Sequence, residues 1–198
     1  MRIANVMQNR FLYSAWQAPF ARDKIAPVLA HNDLGCVQRV LDVGCGPGTN
    51  ARWFQHCDYT GVDMNRAYIE YARRRYQRKF IVADVTEHEF ASEQFDFVLA
   101  NSLLHHIADA EARLLLRRMA ALLTASGHVH IIDLVLPESA GISRTLARHD
   151  RGLFPRPLEE WREMFCESFE PVVCEPFAIC RIGVPLWQLV YFKGRAKL

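Results

Sequence analysis

Apolar residues in this chain gather into short stretches closed by a glycine or an acid, with helix-like stripes of apolar positions between them. Val40, Leu41 and Val43 form the first stretch, followed by Tyr59 to Asp63, Phe80 to Val85, Phe95 to Ala100 and His128 to Val135. Apolar residues on consecutive positions, rather than alternate ones, mark strands covered on both faces, as in a parallel sheet. The intervals predict helices over Asn50–His56, Asn65–Gln77 and Ala110–Leu123. In the last, Leu114, Leu115, Met119 and Leu122 are the expected buried side, Arg113, Arg117 and Arg118 the outer side, and Gly127 the terminator. A further helix over Glu159–Phe165 precedes two closing strands, Phe169–Ile179 and Leu186–Phe192. Strands alternating with helices predict an α/β fold.

Two segments stand apart from this alternation. Before the first strand, Phe11, Leu12, Tyr13, Trp16, Phe20, Ile25, Val28 and Leu29 predict aromatic helical pieces, divided by Pro19 and Pro27. Between Pro137 and Pro157 periodicity is lost and charge is dense, from Ser143 to Gly152. His128 and His130 alternate with apolar residues and are read as structural, and the arginines of the 65–77 helix as a solvated outer face.

Length and charge narrow the class. A chain of 198 residues with 51% hydrophobic content supports one domain, 1–198, with a full core. A net charge of +2 gives no case for a nucleic-acid partner. The six cysteines form no CxxC pair, so they are expected to be reduced, mostly buried thiols of a cytoplasmic protein. No run of 18 apolar residues occurs, so the expectation is a soluble, untargeted chain without a membrane span.

The candidate chemistry begins at Val40-Leu41-Asp42-Val43-Gly44-Cys45-Gly46-Pro47-Gly48-Thr49-Asn50. A strand, three closely spaced glycines and a helix start offer bare backbone and unpaired N–H groups to a nucleotide-like ligand. The third glycine comes one residue too early for the G-x-G-x-x-G dinucleotide fingerprint, which argues against a nicotinamide oxidoreductase. Asp63, 19 residues beyond Gly44 at a strand end, stands where a carboxylate reaches ribose hydroxyls. Asp84 ends the next strand, and Asn101-Ser102-Leu103-Leu104-His105-His106-Ile107-Ala108-Asp109 follows the fourth.

These blocks, from Arg39 to Asp133, resemble the class I S-adenosylmethionine-dependent methyltransferases, with Asp42-x-Gly44-x-Gly46-x-Gly48 similar to their motif I. The resemblance implies a three-layer α/β sandwich with a mostly parallel seven-stranded sheet and an antiparallel C-terminal hairpin. S-adenosyl-L-methionine would be held by Asp42, Gly44, Cys45, Gly46 and Gly48, with Asp63 on the ribose, Met64, Asp84 and Val85 at the adenine, and Asn101 beside them. His105 and His106 would stand where the acceptor approaches, His105 the better candidate for a base, with no metal ligand set. Residues 1–30 would form a helical lid, with Tyr13, Trp16, Gln17 and Phe20 walling the site. The 137–157 insertion, with His149 and Arg151, would shape the acceptor pocket.

The acceptor expected is an O or N atom of a small molecule. RNA or protein methylation and a catalytically silent cofactor-binding protein are the alternatives, and the sequence leaves the acceptor and the oligomeric state open.

Overall fold

The computed structural model describes residues 20–90, 94–150 and 152–197. A seven-stranded sheet is formed by β1 (Arg39–Val43), β2 (Asp58–Asp63), β3 (Lys79–Val82), β4 (Phe95–Asn101), β5 (Leu123–Leu134), β6 (Phe169–Arg181) and β7 (Val184–Ala196), in the order β3-β2-β1-β4-β5-β7-β6. Strands β1 to β5 run parallel, while β7 is antiparallel to both β5 and β6. The hairpin between β6 and β7 turns through Ile182 and Gly183, both at positive φ, which suits the right-handed twist of its strands.

Helices cover both faces. On one, α1 (Ala21–His31) and α2 (Arg66–Arg75) contribute Ile25, Val28, Ile69 and Ala72 to a core with Val40, Tyr59, Phe97 and Tyr191. On the other, α3 (Asp109–Ala121) and α5 (Leu158–Ser168) pack Leu116, Met119, Trp161 and Phe165 against Leu41, Val98, Val129 and Phe192. A short helix, α4 (Ile142–Arg148), lies in the segment where periodicity is lost. The expected three-layer sandwich with its closing hairpin is therefore present, and the core on each sheet face explains the unbroken apolar strands.

Several local expectations need correction. The segment after the glycine loop is a 3-10 turn, Thr49–Trp53, not an α-helix over Asn50–His56. A 3-10 turn rises about 2.0 Å per residue against about 1.5 Å, so it carries a short connection further back toward the start of β2. Pro27 does not divide the N-terminal segment, since α1 runs through it and buries Ile25 and Val28 on either side. Gly127 does not terminate a helix but lies inside β5, where an added Cβ would stand 2.8 Å from the Phe95 carbonyl oxygen.

The α3 stripe is Ala112, Leu115, Leu116 and Met119, which leaves Leu114 48% exposed. Leu116, two residues on and about 200° round the helix, is buried instead. Only Cys45 and Cys57 of the six free thiols are buried, while Cys36 and Cys180 are exposed. Arg73 of α2 is more than a solvated charge, as Nε and Nη2 both donate to the Phe80 carbonyl.

Candidate functional site

Strand order reverses between β1 and β4, and the carboxyl ends of these two strands flank the glycine loop. Gly44, Gly46 and Gly48 have φ of +66°, +53° and +78°, in the left-handed region that favours glycine. At Gly44 a Cβ would meet Leu103 at 2.7 Å, and at Gly48 it would meet Phe80 at 2.9 Å, so both are also required by packing. At Gly46 nothing lies within 4 Å of that position, which leaves the loop backbone open to the cleft.

Asp63, at the end of β2, braces this loop. Its Oδ2 accepts the Gly46 N–H at 2.9 Å and its Oδ1 the Asn65 N–H at 2.7 Å. Asn65 in turn caps α2 by accepting from Ala67 and Tyr68. A carboxylate has about four lone-pair positions, so two backbone bonds leave Asp63 capacity for a ligand diol.

Asp42 lies beneath the loop, fully buried. It accepts from the Tyr59 hydroxyl at 2.5 Å and from Asn50 Nδ2 at 3.1 and 3.3 Å. Asn50 Oδ1 accepts from Asn101, and Asn101 Oδ1 from the Ser102 hydroxyl, so one polar chain joins β1 to the end of β4. Burial raises the Asp42 carboxyl to about 7, although Tyr59 and Asn50 oppose the rise. Cys45 is buried, and desolvation pushes its thiol up, so it stays protonated and unreactive.

Asp84 and Val85 follow β3. Asp84 Oδ1 accepts from both the N–H and the hydroxyl of Thr86, at 2.8 and 2.6 Å, and Val85 packs into the core. Met64 is 71% exposed at the rim.

Beyond β4 the chain makes a 3-10 turn, Leu104–His106, held by Asp133 of β5. Asp133 accepts from the Leu104 N–H at 2.7 Å, the Leu134 N–H at 2.8 Å and His105 Nδ1 at 2.6 Å. His105 Nε2 lies 3.1 Å from Asp150 Oδ2, and the His105 carbonyl accepts the Phe154 N–H. Burial opposes a charged ring, but the two carboxylates prevail and raise His105 to about 9. At neutral pH the ring is an imidazolium donating at both nitrogens, whereas a base needs one nitrogen bare.

The His106 ring stands 4.1 Å from that of His105, centroid to centroid. Ligating atoms of His105, His106 and Asp150 lie within 4.8 Å of one another, yet His105 would have to surrender its Asp150 proton before it could bind a metal.

A pocket opens on the β5 and β7 side of β4, lined by Phe20, Lys24, Ser102, His105, Leu134, Asp150, Trp187 and Leu189. Ser102 carries a positive φ of 57°, a strained conformation for a residue other than glycine, and its hydroxyl accepts from Lys24 Nζ at 3.2 Å. Phe20 meets Trp187 edge to face at 5.0 Å.

Of the residues read from the sequence, Gly44 to Gly48, Asp63 and Asn101 meet around the cleft, while His105 and Phe20 reach the pocket. His149 does not: it is exposed, and its Nδ1 lies 2.8 Å from the Thr145 carbonyl at the end of α4. Tyr13, Trp16, Gln17 and Arg151 lie outside the described residues. Sequence reasoning missed Lys24, Ser102, Asp150 and Trp187. It also missed Asp133, which a lone acid in an apolar strand would have signalled.

A Rossmann-like sheet with a glycine loop at its switch point is the arrangement at which open α/β sheets take nucleotide-like ligands. Residues 40–127 match the model of a family described as a methyltransferase domain. An uncharacterized methyltransferase of Mycobacterium tuberculosis is 32% identical over 127 residues, 62% of each chain. The mitomycin 7-O-methyltransferase MmcR superposes with a TM-score of 0.73 at 18% identity, over 96% of this chain and 58% of that one. The N-methyltransferase NodS of Bradyrhizobium japonicum, in complex with S-adenosylhomocysteine, gives 0.64 at 16% identity, over 97% of this chain and 90% of that one. Residues 40–127 thus resemble the methyltransferase-domain family, and the fold is shared with solved methyltransferases. The chain spans 62% of the length of the mycobacterial relative.

Proposed function

We propose that the protein transfers a methyl group from S-adenosylmethionine to an O or N atom of a small molecule. One observation carries the reading: Gly46, left-handed and open where a Cβ would stand, is braced by an Asp63 carboxylate with capacity to spare for a ribose diol. The residues fit the cofactor, with the glycine loop giving close backbone approach, Asp63 the ribose, and Asp84 with Val85 the adenine. Asn101, tied through Asn50 to Asp42, fixes the end of β4 beside it.

When bound, S-adenosylmethionine supplies a methyl group already activated by its sulfonium. The acceptor–CH3 bond forms as the S–CH3 bond breaks, and that electron pair stays on sulfur. What this chain adds is placement and dryness. Phe20, Trp187, Leu134 and Leu189 exclude water on one side, and the insertion over 137–157 closes another by delivering Asp150 to His105. The lid expected over residues 1–30 falls, up to residue 19, outside the described residues. Among the described residues no helix is long and apolar enough to cross a membrane, and the exposed thiols Cys36 and Cys180 suit a reducing cytoplasm.

The test is direct. Calorimetric titration should show binding of S-adenosylmethionine and none of NAD, and a screen with labelled methyl donor across phenols, amines and carboxylic acids should transfer label to a small molecule. Binding of NAD instead, or label passing only to RNA or protein, would overturn the reading.

A further inference from the structure

We infer that the acceptor carries an anionic oxygen, a carboxylate or a phenolate, which docks on Lys24 and Ser102 with its apolar body against Phe20 and Trp187. The inference rests on the methyltransferase reading and names the substrate class of that same site.

The pocket is polar at one end and apolar at the other. Lys24 Nζ and Ser102 Oγ, 3.2 Å apart, form the polar end nearest the tip of β4. The apolar end is the edge-to-face pair of Phe20 and Trp187, flanked by Leu134 and Leu189. Ser102 is held in its left-handed conformation between the Asn101 amide oxygen, to which it donates, and Lys24, from which it accepts.

Charge then selects the guest. Among the described residues lining the pocket, Asp150 is bonded to His105, whose other ring nitrogen is bonded to Asp133, whereas Lys24 Nζ donates to the neutral Ser102 hydroxyl. A sulfonium arriving beside β4 adds a positive charge to that of Lys24, and an anionic oxygen is attracted by both where a neutral acceptor is not. Burial pulls the Lys24 ammonium below its ordinary pKa, partly offset by Asp150 and Asp133. A desolvated ammonium of this kind gains more from an incoming anion than an exposed one does.

His105 supports the same conclusion. Its two ring nitrogens are committed to Asp133 and Asp150, so it does not take a proton from a neutral hydroxyl. An oxygen that arrives as its anion has no proton to give up.

The experiment is calorimetry on the full chain saturated with sinefungin, a non-transferable analogue bearing an amine at the sulfonium's place. Benzoate is compared with benzamide, and 4-nitrophenolate with 4-nitrobenzyl alcohol at mildly alkaline pH. The anion of at least one pair should bind roughly tenfold tighter than its neutral isostere, as expected for a charged hydrogen bond. That preference should vanish in Lys24→Gln and persist in Lys24→Arg, with sinefungin binding in each variant reporting a folded cofactor site. Equal binding of anion and isostere in both pairs, binding of neither, or a preference that survives Lys24→Gln would overturn the inference. Failure of the unaltered protein to bind sinefungin at all would instead strike the methyltransferase reading beneath it.

Discussion

His105 and Asp133 are joined ring to carboxylate at 2.6 Å, and the same carboxylate takes the N–H groups of the residues flanking the site, Leu104 and Leu134. One acid from β5 therefore fixes both the turn after β4 and the protonation of its histidine. The ring's pKa rises from 6.5 to about 9 despite its burial. Unfolded, it would lose its proton near 6.5, so the clamp stabilises fully below that value and fades as pH rises through 9. The shift corresponds to on the order of 3 kcal/mol at most. Melting temperature should fall between pH 6.5 and 9 in the unaltered protein and stay nearly flat there in His105→Gln. Parallel profiles for the two proteins would refute a charged clamp. Asp133 and Asp150 are both held below the ordinary 3.8, although burial opposes this, because His105 pairs with each. Their contribution is present above that value and lost on acidification below it.

Gly152 is where the insertion after β5 presses closest to His105. A Cβ there would stand 2.0 Å from His105 Cδ2 and 2.6 Å from its carbonyl oxygen, distances no rotamer change relieves. Gly152→Ala should therefore destabilise the fold by about 1–3 kcal/mol or lift the Asp150 segment off the ring. Chemical denaturation measures the first outcome. The second would show as a His105 proton resonance that titrates nearer the ordinary value. A variant with unchanged stability and unchanged titration would mean the segment is not clamped.

The sheet was legible because its strands are apolar on both faces, and the place of Asp63 beside the glycine loop because an acid closes β2. Local chain reversals were not, since Gly127 reads as a helix stop until the Phe95 carbonyl is seen packed against it. The pocket was hidden for a different reason. Lys24, Ser102, Asp150 and Trp187 come from four separated parts of the chain, and only the tertiary fold brings them together. In the insertion, His149 and Arg151 drew attention as charged groups, whereas Asp150 between them is the residue bonded to His105. Nothing in a charge-dense stretch says which residue turns inward.

Asp63 holds the loop and, on the proposed reading, the ribose. Asp63→Ala removes the acceptor of the Gly46 N–H together with both bonds to the ligand diol. At about 1.5–3 kcal/mol for hydrogen bonds to a charged group, S-adenosylmethionine affinity should drop at least tenfold. Isothermal titration measures it, with thermal melting as a check that the loop alone has not collapsed. Undiminished affinity would remove Asp63 from the ribose.

Asp42 offers a pH signature distinct from that of His105. Burial raises its carboxyl from 3.8 to about 7, so the folded state favours the protonated acid while the unfolded chain does not. Stability from this group is then greatest below 3.8 and is lost as pH rises through 7, a window that ends where the His105 window is just opening. Asparagine is nearly isosteric with the protonated acid, and its amide oxygen can still accept from Tyr59. Asp42→Asn should therefore abolish the decline in melting temperature between pH 4 and 7. Asp42→Ala behaves differently, because it leaves the buried Tyr59 hydroxyl and Asn50 amide without their acceptor. It should cost about 2–4 kcal/mol at every pH. If Asp42→Asn keeps the full slope of the unaltered protein, the carboxyl is ionised throughout and the polar chain from Asp42 to Ser102 carries a buried charge.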